Sequence, residues 1–362
     1  INIEFLYPAF NLLIEQDSLY DNSYFFLSIM DFKLKKNINA LKYANQYSKK
    51  RPNDFKGYEL IGDIYFDNQN WYDAIFHYQR TLLRQPNDLD LQLKIALCLI
   101  KENFQEQAIN FLEEIISNDE YYEEAYYQLG RLYLLNSNYK KSIELLKKYL
   151  LLNPNNKEGY YSLALSYMKL NNYNFALESF KKVLLLDELD PDAHYYLAII
   201  FESILDYEQA IFHYTQAKRH GCSHPKLNLQ YGMLLYNLNY FQKAANPLKD
   251  YLMINNEDLD VLKMLGEIYY KELRYGETID IYKKLIFYYP ENINFKIRIA
   301  ESFYELKSYQ ESIEIYENIL IDMPEDVDIM ITLGNIYYEI QSYERAIYFY
   351  NSVLECSGGN AD

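Results

Sequence analysis

One series of positions constrains this chain more than any other feature of its sequence. A small residue recurs every 34 positions, at Ser28, Gly62, Ala96, Gly130, Ala164, Ala198, Gly232, Gly266, Ala300 and Gly334, without a slip. Twelve residues after each comes a second small residue: Ala40, Ala74, Ala108, Ser142, Ala176, Ala210, Ala244, Thr278, Ser312 and Ala346. A period of this length marks stacked supersecondary units. Two helices can cross at about 8–10 Å only where small side chains meet. Gly inside a helix costs ~1 kcal/mol relative to Ala, so its return at one slot asks for close contact.

The surroundings of each slot have helical spacing. Leu27, Ile61, Ile95, Leu129, Leu163, Leu197, Leu265, Ile299 and Leu333 come directly before the first slot. Three residues after it stand large apolar side chains such as Tyr65, Tyr133, Tyr167, Tyr269 and Tyr337, which the spacing assigns to the core; Asp31 departs from this in the first unit. A polar turn such as DNQN or LNSN follows, then an aromatic residue, then a second amphipathic segment. Pro52, Pro86, Pro154, Pro290 and Pro324 close that segment, because proline cannot donate into a continuing helix. Pro247 falls inside the second segment of the seventh unit, where a kink is predicted. With 11 Gly and 9 Pro in 362 residues, the chain favours long helices over many short strands.

Segments such as YELIGDIYFDNQNWYDAIFHYQRTLLRQPND resemble tetratricopeptide repeats. The resemblance spans residues 21–360 in ten units, starting at 21, 55, 89, 123, 157, 191, 225, 259, 293 and 327. Residues 1–20 read as an N-terminal extension with a short helix after Pro8. The family implies an all-α fold, a right-handed α-α superhelix (TPR solenoid) of about ten helix-turn-helix repeats, continuous through nearest-neighbour interfaces.

Charge and composition narrow the partners. The formal net charge is -17, so no cationic footprint for nucleic acid is present and no nucleic-acid partner is expected. No apolar run reaches the length of a membrane span, so no membrane insertion is expected. The first residues lack the basic-then-apolar pattern of a signal peptide. Cys98, Cys222 and Cys356 are far apart and form no CxxC pair; reduced thiols fit a cytoplasmic location, with a periplasmic one equally compatible.

No phosphate-binding Gly-rich loop, HExxH, nucleophile elbow or dinucleotide fingerprint occurs, so neither catalysis nor a cofactor is expected. His220, Cys222 and His224 match no zinc spacing and read as a turn in which Gly221 ends a helix. His77 and His213 share a repeat slot and read as helix-surface histidines.

The resemblance places one stripe of each first helix along a concave groove. Glu124, Tyr127, Arg131, Glu158, Tyr161, Asp192 and Tyr195 fall on it in the middle units, and Lys263, Tyr270, Arg298 and Tyr304 further along. Solvated repeat surface is the rival reading of the same residues. The expectation is a protein-protein interaction scaffold that holds a protein or peptide partner, basic or aromatic-rich, in that groove. Cations of the partner would meet Glu124, Glu158 and Asp192 and stack on the rings of Tyr127, Tyr161 and Tyr195. Some family members clamp a terminal carboxylate with Lys, Asn and Arg; the matching places here hold Phe25, Glu59, Leu93 and Tyr127, so that mode is not expected. The last helix lacks a polar cap and leaves Ile347, Tyr348 and Leu354 open to end-to-end self-association. The other expectation is a targeting or regulatory arm of a larger enzyme or assembly complex whose other domain lies outside this chain.

Overall fold

The computed structural model describes residues 21–356 together with Pro8, Phe10 and Leu12. The expected helix within residues 1–20 and the tail from residue 357 lie outside the described residues. Among the described residues every regular element is helical. The helices are α1 (Asp21–Lys33), α2 (Asn37–Lys50), α3 (Phe55–Asp67), α4 (Trp71–Leu82), α5 (Leu89–Lys101), α6 (Gln105–Asn118), α7 (Glu123–Leu135), α8 (Tyr139–Leu152), α9 (Lys157–Lys169) and α10 (Tyr173–Leu186). They continue as α11 (Pro191–Ser203), α12 (Tyr207–Arg219), α13 (Leu227–Asn237), α14 (Phe241–Leu252), α15 (Leu259–Lys271), α16 (Tyr275–Tyr288), α17 (Ile293–Glu305), α18 (Tyr309–Asp322), α19 (Val327–Glu339) and α20 (Tyr343–Cys356). The chain divides into two compact units, Ile1–Ala193 and His194–Asp362.

Inside each unit the small slots meet as their size requires. In the first, Ser28 Oγ donates to the Ala40 carbonyl at 2.8 Å, and both residues are fully buried. In the second, Ser312 Oγ donates to the Ala300 carbonyl over the same 2.8 Å. A Cβ built on Gly62 would stand 2.6 Å from the Tyr78 ring, and one on Gly334 would stand 2.5 Å from the Tyr350 ring. Glycine is therefore enforced by the crossing helix at these two positions.

The turn between the helices of each pair has one geometry throughout. Lys35, Gln69, Asn103, Ser137, Asn171, Leu205, Asn239, Leu273, Lys307 and Gln341 all have φ between 56° and 64°. At each, the first helix closes by a Schellman motif: Gln69 N–H donates to the Phe66 carbonyl at 3.0 Å and Asn70 N–H to the Tyr65 carbonyl at 2.9 Å. The residue that completes this motif is also the N-cap of the second helix. Asn138 and Asp206 then accept from the backbone N–H groups of Lys141 and Gln209. First helices have their own caps: Asp54, Asp88, Asn156, Asp190, Asp258, Asn292 and Asp326 each accept from a backbone N–H in the first turn. Helix α14 runs from Phe241 to Leu252 across a buried Pro247.

Adjacent pairs are tied by polar side chains about one repeat apart in sequence. In the first unit Lys94 Nζ reaches Asp63 at 2.8 Å and Glu59 at 3.2 Å, and Lys157 Nζ reaches Asp187 at 2.8 Å and Asp190 at 2.9 Å. In the second, the Tyr304 hydroxyl donates to Glu339 at 2.6 Å and the Tyr236 hydroxyl to Glu267. Burial, then Glu267, pushes the Tyr236 phenol up to about 12. These links give Tyr236 and Tyr304, two of the chain's 42 tyrosines, a structural role, with the ring packed and the hydroxyl on a carboxylate.

Candidate functional site

The nominated residues divide between the two units. Glu124, Tyr127, Arg131, Glu158, Tyr161 and Asp192 lie in the first, and Tyr195, Lys263, Tyr270, Arg298 and Tyr304 in the second.

In the first unit, α7 carries Glu124, Tyr127 and Arg131 at three- and four-residue steps, so they share a face. The Tyr127 ring is half-buried against Tyr149, with ring centroids 4.9 Å apart. The Arg131 guanidinium already lies over it at 5.4 Å, where a basic ligand would stack. Burial raises the Tyr127 phenol and Arg131 opposes that shift. Glu124 accepts from Gln128 Nε2 at 2.6 Å, while Glu158 and Asp192 are exposed. Tyr161 sets its ring edge-on to Phe180 at 5.6 Å. The acidic rim is therefore present, but its rings are partly engaged within the protein.

In the second unit Tyr195 is a correction. Its ring is only 2 % exposed, stacks on His224 at 4.1 Å, and its hydroxyl donates to Gln230 at 2.6 Å. It is a buried packing residue, because the irregular turn before α13 folds His224 over it. His213 is a second correction: it is buried, not on the helix surface. Its Nδ1 lies 2.9 Å from His194 Nδ1, and its ring stacks on Phe201 at 5.3 Å. His77 is likewise half-buried, between Tyr58 and Tyr65. The turn at Gly221 closes α12 with φ of 80°, and Cys222 N–H donates to the Ala217 carbonyl at 2.9 Å.

The same unit brings three nominated residues together. Lys263 and Tyr270 on α15 and Arg298 on α17 line a cavity of about 390 Å³, with Glu267, Lys271, Tyr282, Asn292, Asn294 and Phe295. Arg298 lies over the Tyr270 ring at 4.3 Å and pairs with Glu301 at 2.8 Å. Burial works against the Arg298 charge, but Glu301 outweighs it and raises the guanidinium pKa. Burial raises the Tyr270 phenol, with Glu301 adding to it. Tyr282 is pushed up to about 12 by burial and then Glu267. Both phenols thus remain neutral donors at any physiological pH. Lys263 is exposed and makes no ion pair among the described residues. The cavity offers the half-buried Tyr270 ring, the exposed ammonium of Lys263, a half-satisfied guanidinium and an amide on Asn294. Tyr304, six residues further along α17, is engaged with Glu339 and does not line it. Lys263, Tyr270 and Arg298 are legible in the sequence as residues of the first-helix stripe, whereas Asn292, Asn294, Tyr282 and Phe295 are not. The last two hold core slots of the repeat, which masks them, and Asn292 carries only a helix-cap signal.

Two family models match part of the chain. One, described as intraflagellar transport protein 56, matches residues 160–331, and one described as anaphase-promoting complex, cyclosome, subunit 3 matches residues 102–183. No curated protein matches the chain by sequence. Among solved structures, the C-terminal part of a TPR repeat-containing protein from Cytophaga hutchinsonii is similar at a TM-score of 0.55 and 21% identity, covering 62% of this chain and 93% of that one. A tetratricopeptide repeat protein from Parabacteroides merdae gives a TM-score of 0.51 at 15% identity, covering 71% of this chain and 98% of that one. At such identities the likeness speaks for the fold alone. No helix among the described residues is long and apolar enough to cross a membrane.

Proposed function

The chain belongs to the tetratricopeptide repeat family, and from that premise we propose that it is a protein-interaction scaffold which seats an extended peptide segment over α15 and α17. One observation carries this reading: the open cavity of about 390 Å³ that gathers Lys263, Tyr270 and Arg298. Its size falls within the range of about 300–1,000 Å³ usual for ligand pockets. The half-buried Tyr270 ring suits an aromatic side chain of the partner, while Tyr282 and Phe295 line the cavity as buried packing residues. Lys263 and Asn294 suit the carbonyl groups of its backbone, and Glu267 accepts from its N–H groups. Most interface side chains contribute less than about 1 kcal/mol and only a few exceed ~2, so affinity has to come from several together. The exposed carboxylates of Glu158 and Asp192 in the first unit add a second, weaker region that favours basic side chains.

The test is selection of phage-displayed random peptides on the full chain, followed by anisotropy titration of the recovered peptide. Tyr270→Ala combined with Lys263→Glu is expected to weaken binding at least tenfold while circular dichroism is unchanged. A recovered peptide that binds this variant as tightly as the parent would rule out the site.

A further inference from the structure

Three second helices carry the same six-residue pattern at the same repeat slots: KKYLLL at 147–152 on α8, KKVLLL at 181–186 on α10 and KKLIFY at 283–288 on α16. The third position of each turns inward: Tyr149, Val183 and Leu285 are buried, and of the fourth positions Leu150 is buried while Leu184 and Ile286 are half-buried. Helix geometry then sends the first, second, fifth and sixth positions outward together, since residues four apart share a face. The structure shows this outcome. Leu151 is 81% exposed and Leu185 75%, with Lys147, Lys148, Lys181 and Lys182 exposed beside them. An acidic chain of net charge -17 has thus set four cations among bare leucines on neighbouring repeats of its first unit.

The two helices are joined at the surface. Lys147 Nζ sits 5.7 Å from the centre of the Tyr167 ring, and that ring stacks on the half-exposed Phe175 of α10 at 5.2 Å. Lys148 sits likewise 5.7 Å over Tyr126. Beside it Tyr121, Tyr126, Leu151 and Leu152 form a depression of about 230 Å³, with Glu120 at its edge and Lys148 as its cation. Glu144 and Glu178 lie one turn behind the lysines, yet no ion pair joins them to these four cations among the described residues. The ammonium groups remain available to an outside partner.

We propose that this face of α8 and α10 docks an acidic amphipathic protein segment: a helix with leucine-type side chains on one side, bordered by Asp and Glu. Charge complementarity selects this occupant. Lysines bordering exposed leucines also suit an anionic bilayer, but a flat bilayer would face the field of the whole acidic chain as well as the patch. A narrow helix meets only the patch, and its leucines fit the depression by Leu151 and Leu152.

The experiment uses the full chain and a fluorescein-labelled helical peptide with leucines on one face and glutamates flanking them. Two controls are the same peptide with lysines in place of glutamates, and phosphatidylserine vesicles. The acidic peptide is expected to bind, to weaken as salt rises, and to lose at least tenfold in affinity in the variant Lys147→Glu, Lys148→Glu, Lys181→Glu, Lys182→Glu. Separately, Leu151→Ser with Leu185→Ser is expected to weaken it with all charges retained. These positions are exposed, so the helical signal should not change. Equal binding of the lysine peptide, unchanged affinity in the charge variant, or preference for the vesicles would each overturn the proposal.

Discussion

At the residue scale, the turns hold the most accessible reserve of stability. Leu273 has φ of 59° with a side chain 69 % exposed, so it bears the left-handed conformation with little packing in return. That conformation costs an ordinary residue about 1–2 kcal/mol, and Asn tolerates it. Asn103, Asn171 and Asn239 occupy the same slot in other pairs. Leu273→Asn is therefore expected to raise stability by roughly 0.5–1 kcal/mol. Urea denaturation reads this as a higher midpoint at unchanged slope; a lower midpoint would contradict it. The glycines make a matched pair. In Gly62→Ala the new Cβ would lie 2.6 Å from Tyr78, which is fully buried and bonded to Asp63 at 2.8 Å. Overpacking of about 1–3 kcal/mol outweighs the helix-propensity gain of ~1 kcal/mol, so the substitution should destabilise. Gly276→Ala meets nothing within 4 Å and should stabilise by up to about 1 kcal/mol. Thermal melts of both variants check the signs.

At the scale of elements, each first helix depends on the acid or amide that precedes it. Asp88 accepts from Leu91 N–H at 3.0 Å and Asp326 from Ile329 N–H, also at 3.0 Å. Replacing either by Ala is expected to cost ~1 kcal/mol. The double variant should cost their sum, since the two lie in different compact units. A sum short by more than about 0.5 kcal/mol in urea titration would contradict their independence. Helix pairs were legible because the small slots must repeat for any crossing to repeat. The Asp and Asn caps were just as periodic and could have been read. Other features were not legible. The burial of Tyr195 depends on His224, which belongs to an irregular turn with no periodic signal. The burial of His213 depends on His194 in the preceding helix. Tyr282 and Phe295 look like core from spacing alone, and only their placement beside Lys263 and Arg298 shows that they also wall a cavity.

For the whole molecule, the many buried phenols predict an alkaline limit. Burial leads the shift that pushes Tyr47, Tyr149 and Tyr282 up to about 12, from an ordinary 10.0. A group whose folded pKa is raised contributes stability that is fully present below its unfolded value. As pH rises from about 10 toward 12 the unfolded chain ionises first and that contribution is lost. Urea midpoints should therefore hold up to about pH 9 and fall between pH 10 and 12. A flat profile across that window would contradict the placement of these rings.

Hydrogen exchange of the full chain with its selected peptide bound locates the partner on the helices. Slower exchange is expected in residues 259–271 and 293–305, with the second helices between and beyond them little changed. Protection absent from those two segments and present elsewhere would contradict that placement.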